Sequence, residues 1–238
     1  GNAISVDDYA DVFIHEGFAM YSEFLYVERK FGQDTAQMYA DMWQRTISNI
    51  RPVVGPRDVN FWDYHDIDPY VKGAWCLKGL RYLLDNDTLF FDIVKSYYQS
   101  RKYTVVTVKD FTDFVNEKTG KDYLWYFNHY LYRAEAPTLE LAVIPTKKLH
   151  KYKYPIKNMS SDTGGQFGNE VLYLYCRWTN VEDNFVMPVV VSNPSQPKET
   201  KILPITTKGG IFVLDNKVWS LNQDFYFDMK QLKKVKTK

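Results

Sequence analysis

Cysteine is scarce. The 238 residues contain two, Cys76 and Cys176, a hundred positions apart. No CxxC pair and no cysteine/histidine finger exists, and a disulfide-rich framework is excluded. Two free thiols are expected, with a single bridge between them left open. The histidines are His15, His65, His129 and His150, and none has a partner four positions on, so no helix carries a HExxH pair. Net charge is nearly absent too. Thirty Lys and Arg against 29 Asp and Glu leave +1, which gives no global argument for binding nucleic acid or a membrane surface. The terminal "KKVKTK" reads as a solvated basic end. Apolar runs are short ("VMPVVV" is typical), so no helical membrane span is expected. A signal-peptide pattern is missing at the first residues, and the chain reads as beginning inside a larger protein.

What is present is core material. Apolar residues make up 45% and aromatics 17%, with 19 Tyr, 15 Phe and 6 Trp, enough for one large domain or two ordinary ones. The first part has helical texture. One long helix is expected over 7–31, stopping near Gly32, and a second over 34–50, broken by Pro52, Gly55 and Pro56. "DPYVKGAWCL" shows a helix start, with Asp68 as N-cap and Pro69 at the first helical position. Further helices are expected over 88–101, from the Thr107-x-x-Asp110 capping box to Gly120, and after Asp122.

After Pro137 the texture changes. "TLELAVI", "EVLYLYCRW", "FVMPVVV", "TKILPI", "GIFVL" and "DFYFDM" are short runs rich in β-branched and aromatic residues, separated by turn signals. In "EVLYLYCRW" the set Leu172, Leu174, Cys176 and Trp178 is the more apolar of the two alternating faces. The expected fold is α+β: a helical module over 1–136, followed by a small all-β sandwich over 137–238.

One residue breaks the pattern. Glu16, in "HEGFAMYSEF", has Val12, Phe13, Ala19 and Met20 as its helical neighbours. A carboxylate among apolar groups is costly unless it is paired, hydrogen-bonded or bound to a metal. The bland alternative is a helical glutamate reaching solvent.

"DVFIHEGFAMYSEFLYVE" resembles the segment that holds the third zinc ligand in the gluzincin aminopeptidases related to aminopeptidase N and leukotriene hydrolase. "DPYVKGAWCL" is similar to that family's "Y.KGA" segment, and the two lie 54 residues apart in the family's order. "DYLWYFNHYLYRAEAPTLEL" looks like its hand-over from the helical part of a thermolysin-like catalytic domain to a β module, and "YCRWTNVEDNFVMPVVV" like the strands that open that module. The resemblance implies that Glu16 is the third zinc ligand and that Tyr70 donates a hydrogen bond to the oxyanion. Asp11 and Glu23 are then possible supporting groups around the metal. If Gly1-Asn2 is the "GN" that follows the family's HExxH, eighteen residues separate the second histidine from Glu16, as the family pattern requires.

The departures are as informative. HExxH is absent, and so is the family's upstream Gly-rich motif that grips the substrate amine. A His2Glu site cannot be assembled from these residues. The resemblance therefore implies zinc in the intact parent, none bound by this chain, and no peptidase activity from the chain alone. Peptides would be the parent's substrates. Nucleic acid and membrane spans are not expected as partners, and self-association through surface exposed by truncation is. An exported location is preferred to a cytoplasmic one. The competing reading is a non-catalytic, peptidase-like binding or scaffold module. His15 and His129 are expected to pack or hydrogen-bond, and His65, in "DYHDIDPY", to lie in a solvated loop.

Overall fold

Apolar residues at helical spacing build the first half of the chain, and short β-rich runs build the second. The computed structural model, which describes residues 3–60, 66–158, 171–215 and 219–235, is α+β. Two units emerge: Gly1–Ala136 with Asp224–Tyr226, and Pro137–Gln223 with Phe227–Lys238.

In the first unit the helix expected from residue 7 is split. Asp8 accepts from the Ala10 N–H at 2.8 Å and sets a 3-10 turn over Tyr9–Asp11, so α1 spans Phe13–Phe31. Gly32, at φ 89°, ends it and lets α2 (Gln33–Gln44) follow at once. The second helix stops six residues short of Ile50. Beyond it the N–H groups of Ser48 and Asn49 turn to the Asp68 carboxylate, at 2.7 and 2.9 Å. Asp68 is thus not the N-cap of α3 (Asp68–Leu84); Ile67 holds that place, with Pro69 in the first turn. Asn86 caps α4 (Asp87–Arg101). The Thr107/Asp110 capping box opens α5 (Val108–Thr119), and Gly120, at φ 65°, closes it. Asp122 accepts from the Leu124 N–H at the start of α6 (Leu124–Tyr132).

The central helix is α3, buried from Val71 through Leu77. Trp75, Phe13, Phe90, Phe111, Phe127, Tyr126 and Tyr130 fill the core around it. β1 (Ser5–Val6) and β2 (Val105–Val106) form a short parallel pair beside the α1 entrance.

Among the described residues the second unit holds two sheets. β10 (Asp228–Gln231), β3 (Thr138–Ile144), β5 (Val171–Thr179), β8 (Gly210–Asp215) and β4 (Ile156–Asn158) form the larger, in that order. β7 (Gln196–Leu203), β6 (Val189–Asn193) and β9 (Ser220–Leu221) form the smaller. On β5 the apolar face is buried from Leu174 through Trp178, as its alternation implies. Tyr175 on the opposite face is buried too, because Tyr154 packs on its ring at 4.8 Å. Both cysteines are buried free thiols.

Several runs are strand only in part, "FVMPVVV" from Val189 on and "TKILPI" up to Leu203. Only the end of "DFYFDM" is strand; Asp224–Tyr226 lies with the helical unit, where Phe225 stacks on Tyr82 and the Tyr226 carbonyl accepts from Tyr130 Oη at 2.6 Å. Among the described residues no helix is long and apolar enough to cross a membrane.

Candidate active site

α1 and α3 cross at their glycines. A β-carbon on Gly73 would stand 3.2 Å from the Gly17 α-carbon, and one on Gly17 would stand 3.3 Å from the Gly73 carbonyl carbon. Any larger residue at either position would separate the helices. The Phe13 ring occupies the remaining space, 2.7–2.9 Å from both hypothetical β-carbons. Glu16 precedes Gly17, and Tyr70 lies one turn before Gly73 on the same face of α3. The two motifs singled out in the sequence therefore meet in space, and their glycines are the reason they can.

Both side chains are half-buried. Burial first, and then the Glu16 charge, raise the Tyr70 phenol above its ordinary pKa of 10.0. Among the described residues neither the Glu16 carboxylate nor the Tyr70 hydroxyl has a hydrogen-bond partner.

The other expected residues are engaged elsewhere. Asp11 is 1% exposed; one oxygen accepts from the Val108 N–H at 2.8 Å, and the other pairs with Arg57 at 3.0 Å. It ties the α1 entrance to the start of α5. Glu23 is exposed and accepts from Tyr39 Oη of α2 at 3.0 Å. His15 bonds the Ile4 carbonyl through Nε2 at 2.8 Å and so anchors β1, while His129 is fully buried. His65 lies outside the described residues.

Tyr9 was missed. Its phenol is raised by burial first, and then by Tyr70, Asp66 and Glu16, so it shares their field. No periodicity marks it, because Tyr9 lies in the 3-10 turn before α1 and not on the helix that carries Glu16.

The residues present do not by themselves fit a zinc ion. Glu16 offers one carboxylate, and among the described residues no group of three His, Cys, Asp or Glu could hold a metal.

Comparison with known proteins agrees with the motifs. The model of the peptidase family M1 domain matches residues 1–130, more than half of the chain. Aminopeptidase A of Legionella pneumophila, solved with aspartic acid, superposes with a TM-score of 0.66 at 15% identity, over 94% of this chain and 24% of that one. The M1 zinc metallopeptidase of Deinococcus radiodurans aligns at 25% identity over 55% of this chain and 29% of that one, with a TM-score of 0.47. No curated protein matches in sequence. This chain thus spans only about a quarter of the length of the solved structures it resembles. With its two motifs and its first 130 residues accounted for, the chain belongs to peptidase family M1.

Proposed function

We propose that the chain is a segment of a zinc-dependent aminopeptidase that removes N-terminal residues from peptides. In this reading Glu16 is one ligand of a metal centre completed outside this sequence, and Tyr70 is the oxyanion donor. The observation that carries it is the juxtaposition of a half-buried carboxylate and a half-buried phenol, neither engaged by a described residue. The carboxylates of Asp11, Glu23 and Asp68, by contrast, all have partners. A carboxylate held half-buried without a partner is unfavourable, and a cation relieves that.

Tyr70 is suited to donation. A phenol is protonated at neutral pH, and one near the start of a helix can donate a hydrogen bond as negative charge develops on a carbonyl oxygen. The general base and the remaining metal ligands belong to no residue described here, so the isolated segment is inactive on this account. Self-association of the isolated segment is expected through whatever apolar surface the rest of the parent covers.

The test is Tyr70→Phe in the full-length protein. Loss of one such donor lowers kcat by about 10²–10³, with metal content unchanged. An unchanged kcat removes Tyr70 from the chemistry.

A further inference from the structure

The first turn of α3 is fixed from the side opposite Tyr70. Asp68 and Lys72 lie one turn apart on one face, and Tyr70, two residues from each, projects about 200° away. Both charged residues are fully buried. Both reach the same loop residue, Asn49. Its N–H donates to Asp68 Oδ2 at 2.9 Å, and its Oδ1 accepts from Lys72 Nζ at 3.3 Å. Its Nδ2 donates to Tyr226 Oη at 2.6 Å. Lysine can only donate, so this amide orientation is the one that satisfies both neighbours. Lys72 also donates to the carbonyls of Arg133 and Ala134, at 3.1 and 2.5 Å, which holds the chain leaving α6.

Asn49 thus joins the α3 first turn, the 224–226 segment and, through Lys72, the end of α6. It does so from the left-handed region, at φ 52°, where asparagine is one of the few side-chain-bearing residues tolerated. No motif marks it; only the fold brings its partners together.

Resting on the reading of Tyr70 above, we infer that Asn49 is a positioning residue for Tyr70: through Asp68 and Lys72 it sets the angle at which the first turn of α3 presents the phenol beside Glu16. A misplacement of about 1 Å at a reacting group costs up to about 10²-fold in rate. The backbone N–H of Asn49 serves Asp68, whereas its side chain serves Lys72 and Tyr226, so the two contributions separate cleanly.

The experiment uses the full-length holoenzyme. Asn49→Gly keeps the left-handed backbone without strain and removes only the side chain. It is expected to lower kcat about 10- to 100-fold, with KM unchanged. In a Tyr70→Phe background the same substitution is expected to add nothing, because the residue acts through the phenol. Hydrogen exchange should quicken at the Val71 amide, which bonds the Ile67 carbonyl at 3.2 Å. Tyr226→Phe, which removes the hydroxyl that accepts from Asn49 Nδ2, should act in the same direction and covers the case in which Asn49→Gly fails to fold. A kcat loss that adds to that of Tyr70→Phe, or no loss at all while Tyr70→Phe is impaired, overturns the positioning role and leaves the reading of Tyr70 intact. If Tyr70→Phe itself keeps full kcat, that reading fails and the positioning role with it.

Discussion

Gly17 and Gly73 are each other's contact. With a β-carbon on Gly73 only 3.2 Å from the Gly17 α-carbon, "EGFA" and "KGA" are two halves of one helix crossing. That crossing sets Glu16 beside Tyr70.

Replacing either glycine by alanine should therefore destabilise the helical unit, although alanine is favoured over glycine within a helix by about 1 kcal/mol. The new methyl would press on the Phe13 ring, which is fully buried against Phe18 and Phe111 and cannot swing away. Overpacking of this kind costs about 1–3 kcal/mol. Thermal denaturation of Gly17→Ala and Gly73→Ala should show a lowered Tm; an equal or higher Tm would mean that the crossing is looser than the geometry shows.

The two thiols report on the two units separately. Burial pushes both Cys76 and Cys176 up to about 12, so neither is a thiolate at pH 8. Alkylation followed by mass spectrometry should leave both unmodified in the native protein, and denaturant should expose each as its own unit opens. Rapid native labelling of either would contradict its burial.

Glu140 gives the β unit a specific acid response. Burial acts to raise its pKa, but hydrogen bonds from Lys230 at 3.0 Å and Arg177 at 2.7 Å outweigh it, and the net value lies below the ordinary 4.5. A carboxylate lowered in the folded state stabilises above its unfolded pKa, and the contribution fades as pH falls through the folded value. With both cations partly exposed, the term is about 1 kcal/mol or less. Urea denaturation should show wild type more stable than Glu140→Gln at pH 7, with the gap closing below pH 4.5. A gap that persists in acid would assign the difference to packing instead.

Local signals were legible in the sequence, and long-range ones were not. The Thr107/Asp110 box, Gly120, and the strands at "TLELAVI" and "GIFVL" follow from neighbours a few residues apart. Glu16 stood out by its apolar helical neighbours, and Tyr70 only by the resemblance of "DPYVKGAWCL" to the family's segment. Asp68 misled, since an acidic residue before Pro69 has the pattern of a cap, yet its partners are Ser48 and Asn49, about twenty positions back. Tyr226 misled for the same reason. Its alternation reads as strand, but its hydroxyl meets Asn49, a residue 177 positions away.

The central claim, that Glu16 is a metal ligand, is tested most directly by metal analysis of the full-length protein and its Glu16→Ala variant. The account predicts about one zinc per chain in wild type, as in a mononuclear catalytic site, and loss of that metal in Glu16→Ala with folding retained. Equal zinc in both would show that Glu16 is not a ligand and that its place beside Tyr70 must be explained in some other way.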